Sequence, residues 1–205
     1  MSGRYAFLVD TYTTEILKVL SVWAMAGDGD RDVRPRSGDP RGRTLREHMV
    51  HQCQSEHGWF AKMLGITAPG DVTPAAPDRL AFLRHYAAAA AFRRDALARE
   101  GDGWWEADAS FFEVVRSRAW IVTRRIAHTA HHRGQQSALL RALGRDLHST
   151  YGPTADTGGL PRDAAAVVYA YPDVAALLAG EAHGGAKRPL PPRPTRAVTE
   201  LADGN

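Results

Sequence analysis

The stretch RRIAHTAHHRGQQ, residues 124–136, holds three of the nine histidines of the chain. Two of these, His128 and His132, are four residues apart, so a helix places both imidazoles on one face about one turn apart. They lie on a stripe, repeating about every 3.5 residues, that is apolar at both ends and polar in the middle. A bundle helix with this pattern typically builds a site inside the bundle. Because one helix supplies only two ligands, the pattern predicts a metal site that another segment completes.

A second histidine-rich run, LREHMVHQCQSEHGWF at residues 45–60, offers His48, His51 and His57 as the missing ligand. His48 and His51 are three residues apart and can share a face. The apolar residues of this run form no clean stripe, so spacing alone does not choose between them. The alternative interpretation of both runs is that the histidines lie on the helix surface or are satisfied core groups. Thr129 stands where a zinc protease of the His-Glu-x-x-His type has its glutamate, which excludes that class.

Helical patterns dominate the chain, and no alternating pattern long enough for a β-strand is evident. Four helices are predicted at about residues 5–26, 44–64, 79–100 and 113–143, with Thr44 and Asp78 as N-caps and Gly65 as a helix stop. These helices predict an all-α four-helix bundle, followed by short helices near residues 162–169 and 173–178. We assign residues 1–183 to one domain. Residues 184–205 are Pro-rich and basic, which predicts a tail or an arm that wraps the surface.

Composition is that of an ordinary soluble domain, because 44% of the 205 residues are hydrophobic and 24% are charged. The net charge of +3 comes without any long Lys/Arg run, so no nucleic-acid partner is expected. Charged residues interrupt the apolar N-terminus, which predicts an amphipathic helix rather than an export signal. No segment reaches the ~20 apolar residues of a membrane span. The single cysteine, Cys53, predicts a reducing compartment and a packing role, so a cytoplasmic location is expected.

HQCQSE from His51, together with AHTAHHRGQQSALLRALG from residue 127, resembles the DinB-like (YfiT-type) family of metal-dependent four-helix bundles. That family has one histidine on its second helix, and an acidic residue often follows five positions later. Its fourth helix carries His-x-x-x-His followed by Arg-Gly-Gln. The resemblance covers about the first 145 residues. It implies that His51, His128 and His132 hold a divalent metal ion and that Glu56 takes the acidic place.

Three neutral imidazoles leave the charge of a divalent ion uncompensated and leave coordination positions open. We expect acceptors around such a site to orient the imidazoles, and Glu56, Gln135 and His131 are the candidates. For Glu56 the alternative is a solvated carboxylate on the helix surface. Arg125 is expected to extend its guanidinium to solvent, and the alternative is that it binds an anionic group of a substrate. Glycine inside a helix costs about 1 kcal/mol relative to alanine, so Gly134 predicts close backbone approach or a functional constraint.

The resemblance also implies a range of activities. Similar proteins include enzymes that use their metal to activate a low-molecular-weight thiol for sulfur transfer or for isomerisation. We therefore expect a metal-dependent thiol S-transferase that acts on a small electrophile. The alternatives are a metal-dependent hydrolase and a non-catalytic metal-binding protein of a stress response. Imidazole ligands suit several metals; Zn and Ni are favoured here, and Fe and Mn are alternatives. Spare aromatic faces are compatible with a homodimer.

Overall fold

The computed structural model describes residues 3–195 and residue 198. In chain order its elements are α1 (Ala6–Met25), α2 (Leu45–Trp59), α3 (Arg79–Leu97), α4 (Asp102–Glu106), β1 (Asp108–Phe111), β2 (Val114–Ser117), α5 (Arg118–Ala142) and α6 (Val174–Ala182). Helix α1 packs against α3 and α5, and α2 packs against α5. The four long helices enclose a core to which every one of them contributes. The predicted all-α four-helix bundle is therefore confirmed.

The ends of the bundle helices follow the predicted capping residues. The Thr44 hydroxyl accepts a hydrogen bond from the backbone N–H of Glu47 at 3.1 Å. The Asp78 carboxylate does the same for Ala81 at 2.8 Å. Helix α2 continues through one π-helical turn, Phe60–Leu64, and stops at Gly65, whose φ of +71° is the left-handed conformation that glycine adopts without strain. These local signals set where the histidine-bearing face of α2 begins and ends.

The start of the last bundle helix differs from the prediction. Residues 113–117, expected to be helical, belong instead to an antiparallel hairpin in which Phe111 pairs with Val114. Helix α5 begins only at Arg118, where the Ser117 hydroxyl caps it. Each strand has four residues, too few for an alternating pattern to stand out. Phe112, at the turn, has a φ of +51°, a conformation that is uncommon for a residue with a side chain.

Beyond the bundle, α6 packs against α1 and α3, close to the predicted position. The helix predicted near residues 162–169 is reduced to a single 3₁₀ turn, Pro161–Asp163. The described part of the Pro-rich segment lies along the protein, because the backbone N–H of Arg188 donates to the carbonyl of Ala170 at 3.2 Å. The rest of the predicted tail falls outside the described residues. Within the described chain, no helix has both the length and the apolar character needed to cross a bilayer.

Candidate metal centre

Three imidazoles from two helices converge at the face where α2 packs on α5. His51 comes from α2, and His128 and His132 come from successive turns of α5. The Nε2 atom of His132 lies 3.0 Å from Nε2 of His51 and 3.3 Å from Nε2 of His128. All three ligand atoms lie within 4.8 Å of one another. The structure thus brings together the three histidines that the family resemblance singles out.

Two of the three nitrogen–nitrogen separations, those that involve His132, are those of ligands around one ion. Metal–nitrogen bonds of about 2.0–2.1 Å at tetrahedral angles place two ligand nitrogens about 3.3 Å apart, and right angles bring them to about 2.9 Å. The observed 3.0 and 3.3 Å fall within this interval. Hydrogen bonds among the rings explain the cluster less well than a shared ion does. In a neutral imidazole, Nε2 has one proton to donate or one lone pair to accept with, whereas Nε2 of His132 faces two neighbouring nitrogens.

The orientation of His132 is set by Gln135, one turn further along α5. The Nδ1 atom of His132 lies 2.9 Å from Oε1 of Gln135. Because an amide oxygen only accepts, Nδ1 carries the proton and Nε2 presents its lone pair to the centre of the cluster. The hydrogen bond therefore selects the tautomer that a metal ion needs.

Burial keeps the cluster uncharged. It lowers the pKa of His51 to about 4 and that of His128 to about 3, and it also lowers the pKa of His132. Nearby positive charges, chiefly Arg43 and Arg125, act in the same direction. No carboxylate is among the groups that shift the pKa of these three histidines in the described chain. At neutral pH the three rings are therefore neutral, as ligands must be, and their surroundings favour an anion.

Arg125 lies on the inner side of the cluster rather than in solvent, so the expectation that it reaches water is wrong. Its side chain is only 1% exposed. The guanidinium donates to the Ser55 hydroxyl at 2.9 Å and to the Thr129 hydroxyl at 3.1 Å. It also lies 5.6 Å from the ring centre of Trp59, a cation–π distance. Arg125 thus places a buried positive charge one helical turn before His128.

Glu56 is neither a solvated carboxylate nor an acceptor for a histidine of the cluster. It is fully buried, and the hydroxyls of Tyr12 and Tyr86 donate to it at 2.5 and 2.9 Å. The guanidiniums of Arg93 and Arg125 lie 3.3 and 3.5 Å away. The Glu56 carboxylate therefore compensates the charge of the buried arginines, and it is linked to the histidines only through Arg125. The expected direct role is wrong because α2 turns this residue into the core.

The other candidate residues lie around the cluster. His48 is buried, with its ring 5.4 Å from that of His132, but it is not one of the three converging ligands. His131 is exposed, and its ring lies 5.0 Å from His132. Cys53 is buried, and burial raises its pKa to about 12, which fits the predicted packing role. Gly134 has open space where a side chain would stand, so the expected close backbone approach is wrong.

An aromatic wall, which the sequence alone does not place, borders the outer side of the cluster. The Trp59 ring lies over His128 with 5.5 Å between ring centres. Phe111 and Phe112 from the hairpin pack on Trp59 at 5.1 and 6.0 Å. Trp120 in turn packs on Phe111 at 5.0 Å. The run SFFEVV, aromatic and β-branched, is the signal that could have predicted this hairpin.

Fold and cluster together define a helical bundle with a three-histidine centre, and comparison with known proteins identifies the family. The model of the DinB family matches residues 32–160, so the chain belongs to that family. The crystal structure of a DinB-like protein from Bacillus cereus ATCC 10987 is similar, with a TM-score of 0.58 and 17% identity. The match covers 70% of this chain and 95% of that one. No curated protein matches the chain.

Proposed function

We propose that this protein holds a divalent metal ion through His51, His128 and His132, and that it catalyses transfer of a low-molecular-weight thiol to a small electrophile. The observation that carries the proposal is the convergence of three neutral imidazole nitrogens within 4.8 Å of one another, with His132 at 3.0 and 3.3 Å from the other two. When bound, such an ion supplies Lewis acidity that favours the thiolate form of a thiol. Zn and Ni suit an all-imidazole site, and Fe and Mn are alternatives.

The charges around the cluster support an anionic ligand. All three protein ligands are neutral, so a divalent ion would keep its full charge. Arg125 adds a buried positive charge on the inner side, and Arg43 adds another from the loop before α2. A thiolate placed there meets only positive or neutral groups among those that act on the histidines.

The same charges disfavour the hydrolase alternative. A metal-dependent hydrolase commonly uses a carboxylate as general base beside the ion. Glu56, the acidic residue of α2 that the family pattern indicates, is fully buried and bonded to two tyrosines. Within the described chain it is therefore not free to accept a proton from water at the cluster.

The proposed transfer needs no reagent other than the thiol and the electrophile. The thiol loses its proton to solvent, and its sulfur forms a bond to the electrophilic carbon. The leaving group departs from that carbon with the bonding electron pair. Trp59 and Phe111, whose rings pack edge to face, offer apolar surface beside His128 against which an aromatic or unsaturated electrophile can pack.

The test uses untagged protein loaded separately with Zn²⁺ and Ni²⁺. Conjugation of glutathione, cysteine and mercaptoethanol to chlorodinitrobenzene is followed by absorbance. We expect turnover that needs both metal and thiol and that His128→Ala abolishes. The matched control is His183→Ala, because His183 is exposed on α6's C-terminal side and bonds only a backbone carbonyl. Ester hydrolysis without thiol would instead support the hydrolase, and a Co²⁺ spectrum unchanged by thiols would support a non-catalytic binder.

A further inference from the structure

We infer that a cavity beside the metal centre, between the loop before α2 and the second half of α5, binds the carboxylate of the thiol substrate. This inference rests on the proposed function, because it identifies the chemical class of the thiol that the site takes. Arg43 is the residue to which we assign recognition of this carboxylate.

The cavity adjoins the histidine cluster through two residues that contact His132. It measures about 380 Å³, and its lining includes Arg41, Arg43, His48, Gln135 and Leu139. Two of these residues also border His132. Gln135 accepts the hydrogen bond from its Nδ1, and the His48 ring lies 5.4 Å from its ring. A ligand in the cavity therefore contacts residues that border His132, and the volume suits a small molecule.

Arg43 brings a positive charge that the protein leaves uncompensated. Its side chain is exposed, and within residues 3–195 it makes no ion pair. The neighbouring loop arginines differ, because Arg41 pairs with Asp39 at 2.7 Å and Arg34 pairs with Glu47 at 2.6 Å. The charge of Arg43 acts on both His48 and His51, so it lies close to the centre. An unpaired guanidinium at the mouth of a cavity favours an anion.

Two further polar residues line the cavity. His48 is 4% exposed, and its ring forms part of the wall. Gln135 uses its amide oxygen on His132, which leaves its amide nitrogen as a donor on the cavity wall. An amide N–H on the cavity wall can donate to a carboxylate oxygen. Apolar side chains of the wall, among them Leu139, suit a short carbon chain between carboxylate and sulfur.

A carboxylate fits this set of groups better than a phosphate does. One free guanidinium matches one negative charge, and its fork geometry matches two carboxylate oxygens. A phosphate dianion would ordinarily need more than one such partner, and Arg41 is already held by Asp39. The favoured thiol is therefore a small mercapto acid.

The test compares two thiols of the same length, mercaptoacetate and mercaptoacetamide, in which a neutral amide replaces the carboxylate. Co²⁺-loaded protein is titrated with each, because a sulfur-to-cobalt absorption band reports thiolate coordination. Calorimetric titration of the same pairs reports binding whether or not sulfur coordinates. We expect mercaptoacetate to bind about tenfold more tightly, the size of one partly screened charged hydrogen bond.

Arg43→Ala should remove that preference while cobalt content stays unchanged, and mercaptoacetamide, which has no carboxylate, should lose much less affinity than mercaptoacetate. Arg43→Lys should keep part of it, because the charge is retained without the fork. Arg84→Ala, which changes an exposed arginine of α3, is the matched control and should keep all of it.

The outcomes separate this inference from the proposed function. Equal affinity for the two thiols, or a preference that survives Arg43→Ala, would overturn the carboxylate site and leave thiol binding intact. Calorimetric binding of mercaptoacetate that needs Arg43, without any cobalt band, would support the carboxylate site and overturn the thiol function. Absence of binding in both measurements would overturn both.

Discussion

Replacing Glu56 by Gln should lower the free energy of unfolding by about 3–5 kcal/mol, the range found when one partner of a buried ion pair is removed. The carboxylate is 0% exposed, and Arg93 and Arg125 are 3% and 1% exposed, so water screens none of these charges. Burial also raises the pKa of Tyr12 and Tyr86 well above the usual value. Both tyrosines therefore stay protonated and cannot take over the negative charge.

The glutamine variant keeps the shape of the side chain and removes only the charge. Its amide oxygen can still accept from Tyr12, but two buried guanidiniums are left without a counter-ion. For a chain of this length, 1 kcal/mol shifts the melting temperature by about 2–4 °C, so the expected fall is about 6–20 °C. Thermal and urea unfolding of the metal-free protein, followed by circular dichroism, measures it.

The matched control is Glu106→Gln. Glu106 pairs with Arg4 at the surface, where the two side chains are 47% and 70% exposed, so its loss should change stability by less than about 1 kcal/mol. If Glu56→Gln lowered the free energy of unfolding no more than this control does, the reasoning that the Glu56 carboxylate compensates the charge of Arg93 and Arg125 would be refuted.

Three further predictions concern the site itself. Burial lowers the pKa of the site's histidines, so below about pH 6.5 the unfolded chain binds more protons than the folded protein does. The metal-free protein should therefore lose stability as pH falls from about 6.5 to about 4. A urea midpoint that rises on acidification would contradict this. Gln135→Leu should weaken metal affinity about 10- to 100-fold, because His132 loses the bond that sets its tautomer; competition with a chelator measures it, and unchanged affinity would remove Gln135 from that role. Gly134→Ala should raise stability by about 1 kcal/mol with metal content unchanged, because open space surrounds the position; lower stability in urea would show a requirement for glycine.

Local signals in the sequence sufficed for the four bundle helices, apart from the start of α5, and for two of the three clustered histidines. Capping chemistry depends on neighbouring residues, so Thr44 and Gly65 mark the ends of the histidine-bearing helix in sequence and structure alike. The His-x-x-x-His spacing places two imidazoles on one face whatever the rest of the chain does. The hairpin was missed because its strands are short and because Phe112 adopts a backbone conformation that sequence patterns rarely assign to phenylalanine.

The third ligand could not be chosen from spacing because the inner face of α2 mixes a polar row with an apolar one. His48, Gln52 and Glu56 follow one another at intervals of four and are all buried. The Gln52 amide oxygen accepts from Gln136 at 2.7 Å, and Gln136 accepts from the indole N–H of Trp23 at 2.9 Å. A hydrophobic stripe does not mark such a face, because tertiary partners from other helices satisfy its polar groups. The burial of Arg125 and Glu56 escaped prediction for the same reason.

The most direct test of the central claim is the metal content per chain of the untagged protein. It is measured by elemental analysis for the wild type and for His51→Ala, His128→Ala, His132→Ala and the control His183→Ala, after incubation with Zn²⁺ or Ni²⁺ and removal of free ions. A three-histidine centre predicts about one equivalent in the wild type and in the control, and its loss in the three ligand variants that still fold. No bound metal in the wild type, or full metal content in every variant, would contradict it.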